Sequence, residues 1–413
     1  MRAVDVFKPQ GTPTITLVRE PVPEAASRDF DDAIEESGKL VRVVGPSKSG
    51  KTVFVATKAQ GVDLIRVSAS GVHSGADLWN RVLASAGAEL AKKTALDVSA
   101  TGGVEGGAKA KVSILGFGGE AEGKTKIEIA GKHSVESTKA VDPLQAVIAT
   151  FAREPTWVFI DDFHYATSSI QIELSQQIKH ASEEGVQLII ALIPGRSEDI
   201  LRHNGDLNGR IVDIQFEYWD IDELSLIAER GFPELGIQLE PGSARTLAQE
   251  AAGTPQLMQA ICLELAREMG ARETLEEPVR IAIDKNTVFS VCTKLAGNRA
   301  DASSTIEQMR KGPPTRGTPR KSYEDASGRR RDVYELIIDS FKLDPPMLRF
   351  TSDDLQARAN LLAGSEVASV WESVRHMSEI ANNMNTERKL DFGGEQRWVS
   401  ILDPYLFFAL RWG

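Results

Sequence analysis

The chain has 413 residues, a formal net charge of −11 and two cysteines. That length exceeds one ordinary core, so roughly two to four domains are expected. The acidic balance excludes general nucleic-acid binding by the whole surface, two cysteines are too few for a disulfide framework, and no apolar run approaches transmembrane length, so no membrane role is expected. A cytoplasmic setting with Cys262 and Cys292 as buried thiols follows.

Residues 1–33 carry Pro9, Pro13, Pro21 and Pro23, which predicts an extended N-terminal arm leading to a short helix from Arg28 to Glu36. A domain spanning 34–217 follows. Its first strand is the β-branched run Leu40-Val41-Arg42-Val43-Val44. Gly45-Pro46-Ser47-Lys48-Ser49-Gly50-Lys51-Thr52 comes next, and a helix continues from Val53. The octapeptide has the G-x-x-x-x-G-K-[ST] form of a phosphate-binding loop. Its glycines allow dihedrals that turn successive N–H groups toward one point, where they surround a β-phosphate. Lys51 would reach the β- and γ-phosphates, and the Thr52 hydroxyl would ligate Mg²⁺. Residues 45–53 are therefore the candidate ATP-binding segment.

A second strand is predicted at Asp63–Ser68 and a helix over Asp77 to Lys92. From about 99 to 140, small or apolar residues alternate with charges around Gly116-Phe117-Gly118-Gly119. This period predicts a β-hairpin insertion, either loosely packed or a contact arm for a protein partner or a second copy of the chain. Thr156-Trp157-Val158-Phe159-Ile160 reads as a strand buried on both faces and is followed by Asp161-Asp162. Strand C-termini face the ligand crevice in a parallel sheet, so Asp161 is the candidate Mg²⁺ carboxylate and Asp162 the group that orients the attacking water. His164 is either locally hydrogen-bonded or a γ-phosphate sensor.

These motifs resemble the AAA+/STAND branch of P-loop ATPases. The resemblance implies an α/β fold with a parallel sheet, a helical lid over 218–290, and ATP with Mg²⁺ as cofactors. A helix from Ile170 to Ser182 and a strand at Val186–Ile193 follow in the family's order. Arg210, just before the alternating Ile211–Phe216, stands where the family places an arginine finger acting on a neighbouring subunit. A surface ion pair with Asp206 or Asp213 is its other reading. Ala252-Gly253-Thr254-Pro255 resembles the G-x-P element by which STAND ATPases place the lid, which makes Pro255 a nucleotide contact. Val18 and Arg19 would meet the base, because the arm crosses it in related ATPases. The family's γ-phosphate sensor position is replaced by Pro194-Gly195-Arg196, with Arg196 or Ser197 as substitutes.

Residues 291–331 turn basic and rich in Pro, Gly and Ser, which predicts a largely unstructured linker, either a tether or a phosphate-backbone contact. The last region, 332–413, begins with Asp332 as a plausible cap for the helix Val333–Phe341. Thr351-Ser352 precedes a second helix in the same manner, and Ser365–Asn382 forms a third. Two strands around Gly393-Gly394 complete a winged-helix pattern. It resembles the C-terminal domain of origin-recognition ATPases. Such a domain contacts either a protein or DNA, and Arg375, His376, Arg388 and Arg397 would lie nearest DNA. The third helix, however, sets Glu366, Glu372 and Glu379 against Arg375 alone.

Two functions follow from the resemblance. One is a nucleotide-dependent switch that self-associates or signals through a protein partner, as in bacterial anti-phage defence. The other is a DNA-acting ATPase of the origin-recognition or transposition-regulator kind.

Overall fold

The computed structural model describes residues 1–17, 24–46, 48–100, 142–193, 209–297, 300–315, 317, 319–325, 328–385, 388–394 and 396–413, with backbone alone at 88–100, 300 and 301. The chain packs as two compact units. One holds Arg28–Val43 and Ala56–Ile214, the other Met1–Ser27, Val44–Val55 and Gln215–Gly413.

The first unit is built on a parallel sheet of β1 (Leu40–Val44), β2 (Asp63–Ser68), β3 (Thr156–Asp161), β4 (Gln187–Leu192) and β5 (Ile211–Gln215), in the order β2-β3-β4-β1-β5. The fold class is α/β, as expected. Every residue of β1 and β3 is buried, because helices cover both faces of such a sheet and leave no polar side. Register is set by pairs such as Ile65 with Val158 and Ser68 with Asp161, and Ile160 with Ile190. Helices Gly75–Ala100 and Pro143–Phe151 lie between β2 and β3 in the chain, and Ser168–Glu183 lies between β3 and β4. Trp79 is fully buried, and its indole N–H donates to Gln177 Oε1 at 2.7 Å.

One charge interrupts this core. Arg42, in the middle of β1, is fully buried and donates from Nε and Nη2 to the two carboxylate oxygens of Asp213 in β5, each at 2.6 Å. The bidentate geometry satisfies a guanidinium whose desolvation would otherwise cost several kcal/mol, roughly.

In the second unit, helices Ile221–Glu234, Ser243–Glu250, Pro255–Glu268 and Lys285–Gly297 surround a core that includes Phe232, Leu257, Ile261 and Leu265. A short parallel pair, β6 (Ile237–Leu239) with β7 (Val279–Ile281), closes one side. Cys262 and Cys292 are both buried here, and burial pushes both thiols up. The N-terminal arm differs from expectation over residues 1–16. Ala3–Val6 is helical, the Ala3 N–H donates to Arg272 O at 2.8 Å, and the Phe7 ring lies 4.9 Å from Phe232. Apolar burial at Ala3, Val6 and Phe7 overrides the extended preference of a proline-containing segment. Val18 and Arg19 lie outside the described residues, as do Ser47, Arg196, Ser197, Asp206 and the 101–140 part of the insertion.

The stretch predicted to be an unstructured linker is largely ordered. A helix runs over Ala300–Lys311 with Met309 fully buried and Thr305 nearly so. β8 (Tyr323–Glu324) pairs with β9 (Arg330–Arg331). Arg320 and Arg331 are paired with carboxylates of this stretch and of the capped helix that follows. Arg320 meets Asp332 at 2.8 Å, and Arg331 meets Asp325 at 2.7 Å and Asp339 at 2.8 Å.

Beyond it, Val333–Phe341 is helical, capped by Asp332, whose carboxylate accepts from the Tyr334 and Glu335 N–H groups. Ser352–Ala363 follows under a Thr351 cap. The third helix spans Val370–Met384, starting later than expected because Ser369 adopts a left-handed φ of 61°. β10 (Arg349–Thr351), β11 (Leu390–Gly393) and β12 (Trp398–Ile401) form an antiparallel sheet in the order β10-β12-β11. No helix among the described residues is long and apolar enough to cross a membrane.

Candidate functional site

The glycine-rich loop leaves the C-terminal end of β1 and enters the helix Lys51–Lys58. Gly45 admits no side chain, because a Cβ there would overlap Cβ of Phe216 and come 2.7 Å from its carbonyl oxygen. Phe216 is fixed from both sides. Its N–H donates to Val44 O at 2.7 Å, and its ring meets Phe54 edge-on at 5.4 Å. Lys48 and Gly50 have φ of 64° and 104°, the left-handed conformations that reverse the direction of successive peptides. The Lys51 ammonium donates to the carbonyls of Gly45 at 2.8 Å and Pro46 at 2.7 Å, which holds its charge over the loop. The first N–H groups of the helix, from Lys51, Thr52 and Val53, supply the positive end of its dipole there.

The acidic pair lies at the end of β3. Asp161 is buried, and its two oxygens have different partners. Oδ1 accepts the Asp162 N–H at 3.0 Å, and Oδ2 accepts from Arg66 of β2 at 2.7 Å. Asp162 sits at a left-handed φ of 60° with Ser68 Oγ at 3.3 Å from Oδ2. The turn Phe163–Tyr165 follows, with the His164 and Tyr165 rings 4.1 Å apart.

Arg210 stands at the other end of the sheet. Its carbonyl accepts the Leu40 N–H at the start of β1, whereas Phe216, past the far end of β5, meets Val44 at the start of the loop. The Arg210 side chain pairs with Glu183 at 3.1 Å, and Asp213 is paired with Arg42; Asp206, the other aspartate considered from sequence, lies outside the described residues.

Pro255 opens the helix Pro255–Glu268 after Gly253, whose φ is 79°. Beside it, Thr254 Oγ1 and Gln256 Oε1 are buried with no hydrogen-bond partner among the described residues. Buried polar atoms are rarely left so.

The loop follows the first strand of a five-stranded parallel α/β sheet. Solved structures similar to this chain include a Walker-type ATPase of Pyrococcus abyssi, with 13% identity, TM-score 0.49, and 96% of this chain and 100% of that one covered. Cdc6p of Pyrobaculum aerophilum is 11% identical, with TM-score 0.43 and 99% and 97% covered. The RuvB Holliday-junction branch-migration motor of Thermotoga maritima is 13% identical, with TM-score 0.40 and 73% and 82% covered. No protein-family model matches the sequence, and no curated protein matches it.

The loop fits a nucleotide's phosphates on its own geometry: two left-handed residues, a helix N-terminus and an ammonium held against the loop carbonyls. Asp161 fits Mg²⁺ as a hard oxygen donor, with Arg66 as a cation already on one of its oxygens. Sequence reasoning missed Arg66, Arg42 and Trp219. Each was marked only by its setting: one charge inside an apolar strand for Arg42, an exposed position of the alternating β2 for Arg66, and an aromatic pair immediately before the Asp220 cap for the tryptophan.

Proposed function

We propose that the protein is an ATP-binding, Mg²⁺-dependent ATP hydrolase of the AAA+/STAND type that works as a nucleotide-dependent switch. The observation that carries this reading is the loop at Gly45–Thr52, whose backbone and Lys51 converge as phosphate binding requires. Lys51 neutralises phosphate charge, and the loop N–H groups orient the β-phosphate. Thr52 and Asp161 are the residues that would hold Mg²⁺, which would supply neutralisation of phosphate charge. Asp162 orients the attacking water, and Arg210 acts on the nucleotide of a neighbouring copy. Pro255 places the helical region as a lid over the nucleotide.

The three helices and sheet at 332–413 form a winged-helix-like domain that contacts a protein partner or another copy, in signalling of the defence kind. The DNA-acting alternative has less support. Arg375, the one cation expected on the third helix, is paired with Glu372 and Glu379 on that helix, and the basic residues of 310–331 are largely paired with carboxylates. The test is ATP hydrolysis and mass by light scattering, with and without duplex DNA, for wild type, Lys51→Ala and Asp162→Asn. Hydrolysis lost in both variants, with ATP-dependent assembly that ignores DNA, supports the switch. DNA-stimulated turnover moves the assignment to the alternative, and absence of ATP binding overturns both.

A further inference from the structure

The four residues Phe216-Glu217-Tyr218-Trp219, between β5 and the cap residue Asp220 of the helix Ile221–Glu234, touch the phosphate loop, the helical region and the C-terminal core within one compact unit. Phe216 closes over Gly45. Tyr218 packs against the C-terminal core, where burial pushes its phenol up to about 12. Its Cβ lies where a side chain at Gly253 would come within 2.7 Å. Trp219 is buried and makes two hydrogen bonds in two directions. Its backbone N–H donates to Gly253 O at 2.9 Å, and its indole N–H donates to Ser49 O at 3.2 Å in a buried setting.

A trans peptide is planar, with its C=O and N–H pointing opposite ways. Fixing the Ser49 carbonyl toward the indole therefore turns the Gly50 N–H away from it. That peptide also precedes the left-handed Gly50, where the loop has most freedom to flip. We infer that Trp219 is a positioning residue: it holds the Ser49–Gly50 peptide so that the Gly50 N–H faces the phosphates, and through Gly253 it links that peptide to the start of the lid helix Pro255–Glu268. Nucleotide binding at the loop is thereby felt at the lid. This rests on the reading of Gly45–Thr52 as a nucleotide loop.

The test is Trp219→Phe, which keeps an aromatic ring in the core and removes the donor. The expected result is a KM and an ATP dissociation constant raised about five- to tenfold, the weight of one buried hydrogen bond, with kcat within about twofold of wild type. In amide hydrogen exchange, ATP should still protect peptides covering 45–55 in the variant, while the ATP-dependent change over 250–262 is lost. A variant in which the 250–262 response and the KM are unchanged overturns the inference.

If the variant fails to fold, the indole N–H resonances of the ¹⁵N-labelled wild type decide. The sequence has six tryptophans, and the Trp219 resonance is assigned by paramagnetic broadening from a spin label at an introduced cysteine in the 220s. A shift on adding ATP supports the link, and no shift overturns it. Wild type that neither binds ATP nor protects 45–55 removes the underlying reading and the link together. That result is distinct from a loop that responds to ATP while the lid does not depend on Trp219.

Discussion

At the scale of single residues, the tightest constraint is Gly45. Gly45→Ala forces its Cβ into Phe216, so the loop or β5 must shift. Overpacking of this kind costs roughly 1–3 kcal/mol, and fluorescent-nucleotide titration should show ATP affinity reduced at least tenfold. Arg66 offers an opposite sign. Its guanidinium occupies the Asp161 oxygen that a metal would approach, so Arg66→Ala should lower the Mg²⁺ concentration for half-maximal hydrolysis by several-fold in a metal titration. A rise instead would mean that Arg66 serves to orient Asp161. Glu264 supplies a pH dependence. Burial pushes its carboxyl up, but the Lys294 ammonium at 2.6 Å and Arg267 outweigh this and hold it below the ordinary 4.5. A carboxyl with a lowered folded pKa stabilises the protein above its unfolded value and loses that contribution as pH falls through the folded one. Lys294→Met should therefore lower the melting temperature near neutral pH and narrow the gap to wild type below about pH 4.

At the scale of elements, what was legible and what was not divide along locality. The strand–loop–helix at 40–58 and the strand ending at Asp161 were readable because their signals are contiguous: a β-branched run, glycines at fixed spacing, a carboxylate at a strand end. The caps at Asp332 and Thr351 were readable for the same reason. The Arg42–Asp213 pair was not, since it joins residues 171 apart in the chain, and nothing in one sequence says which strands lie side by side. The helix Ala300–Lys311 was obscured by composition. Polar and charged residues dominate the window, whereas Thr305 and Met309, one helical turn apart, carry its burial. Met309→Ala should cost about 2–5 kcal/mol in chemical denaturation. A cost near zero would restore the linker reading.

At the scale of the whole molecule, the proposed action of Arg210 on a neighbouring copy separates two kinds of defect. Lys51→Ala should abolish nucleotide binding at every protein concentration. Arg210→Ala should leave binding intact and lower hydrolysis only at concentrations where copies associate, which turnover measured against protein concentration reads directly. The burial of Cys262 and Cys292 has a practical consequence on this scale. They are the only thiols in the chain, and both are buried with thiols held in the protonated, unreactive form. The native protein should therefore react slowly with maleimides, which a timed labelling assay checks. A cysteine introduced at an exposed apolar position such as Leu361 would take a spin label or dye alone, without first stripping the background. Conversely, labelling of the unaltered chain would report the opening of its helical core.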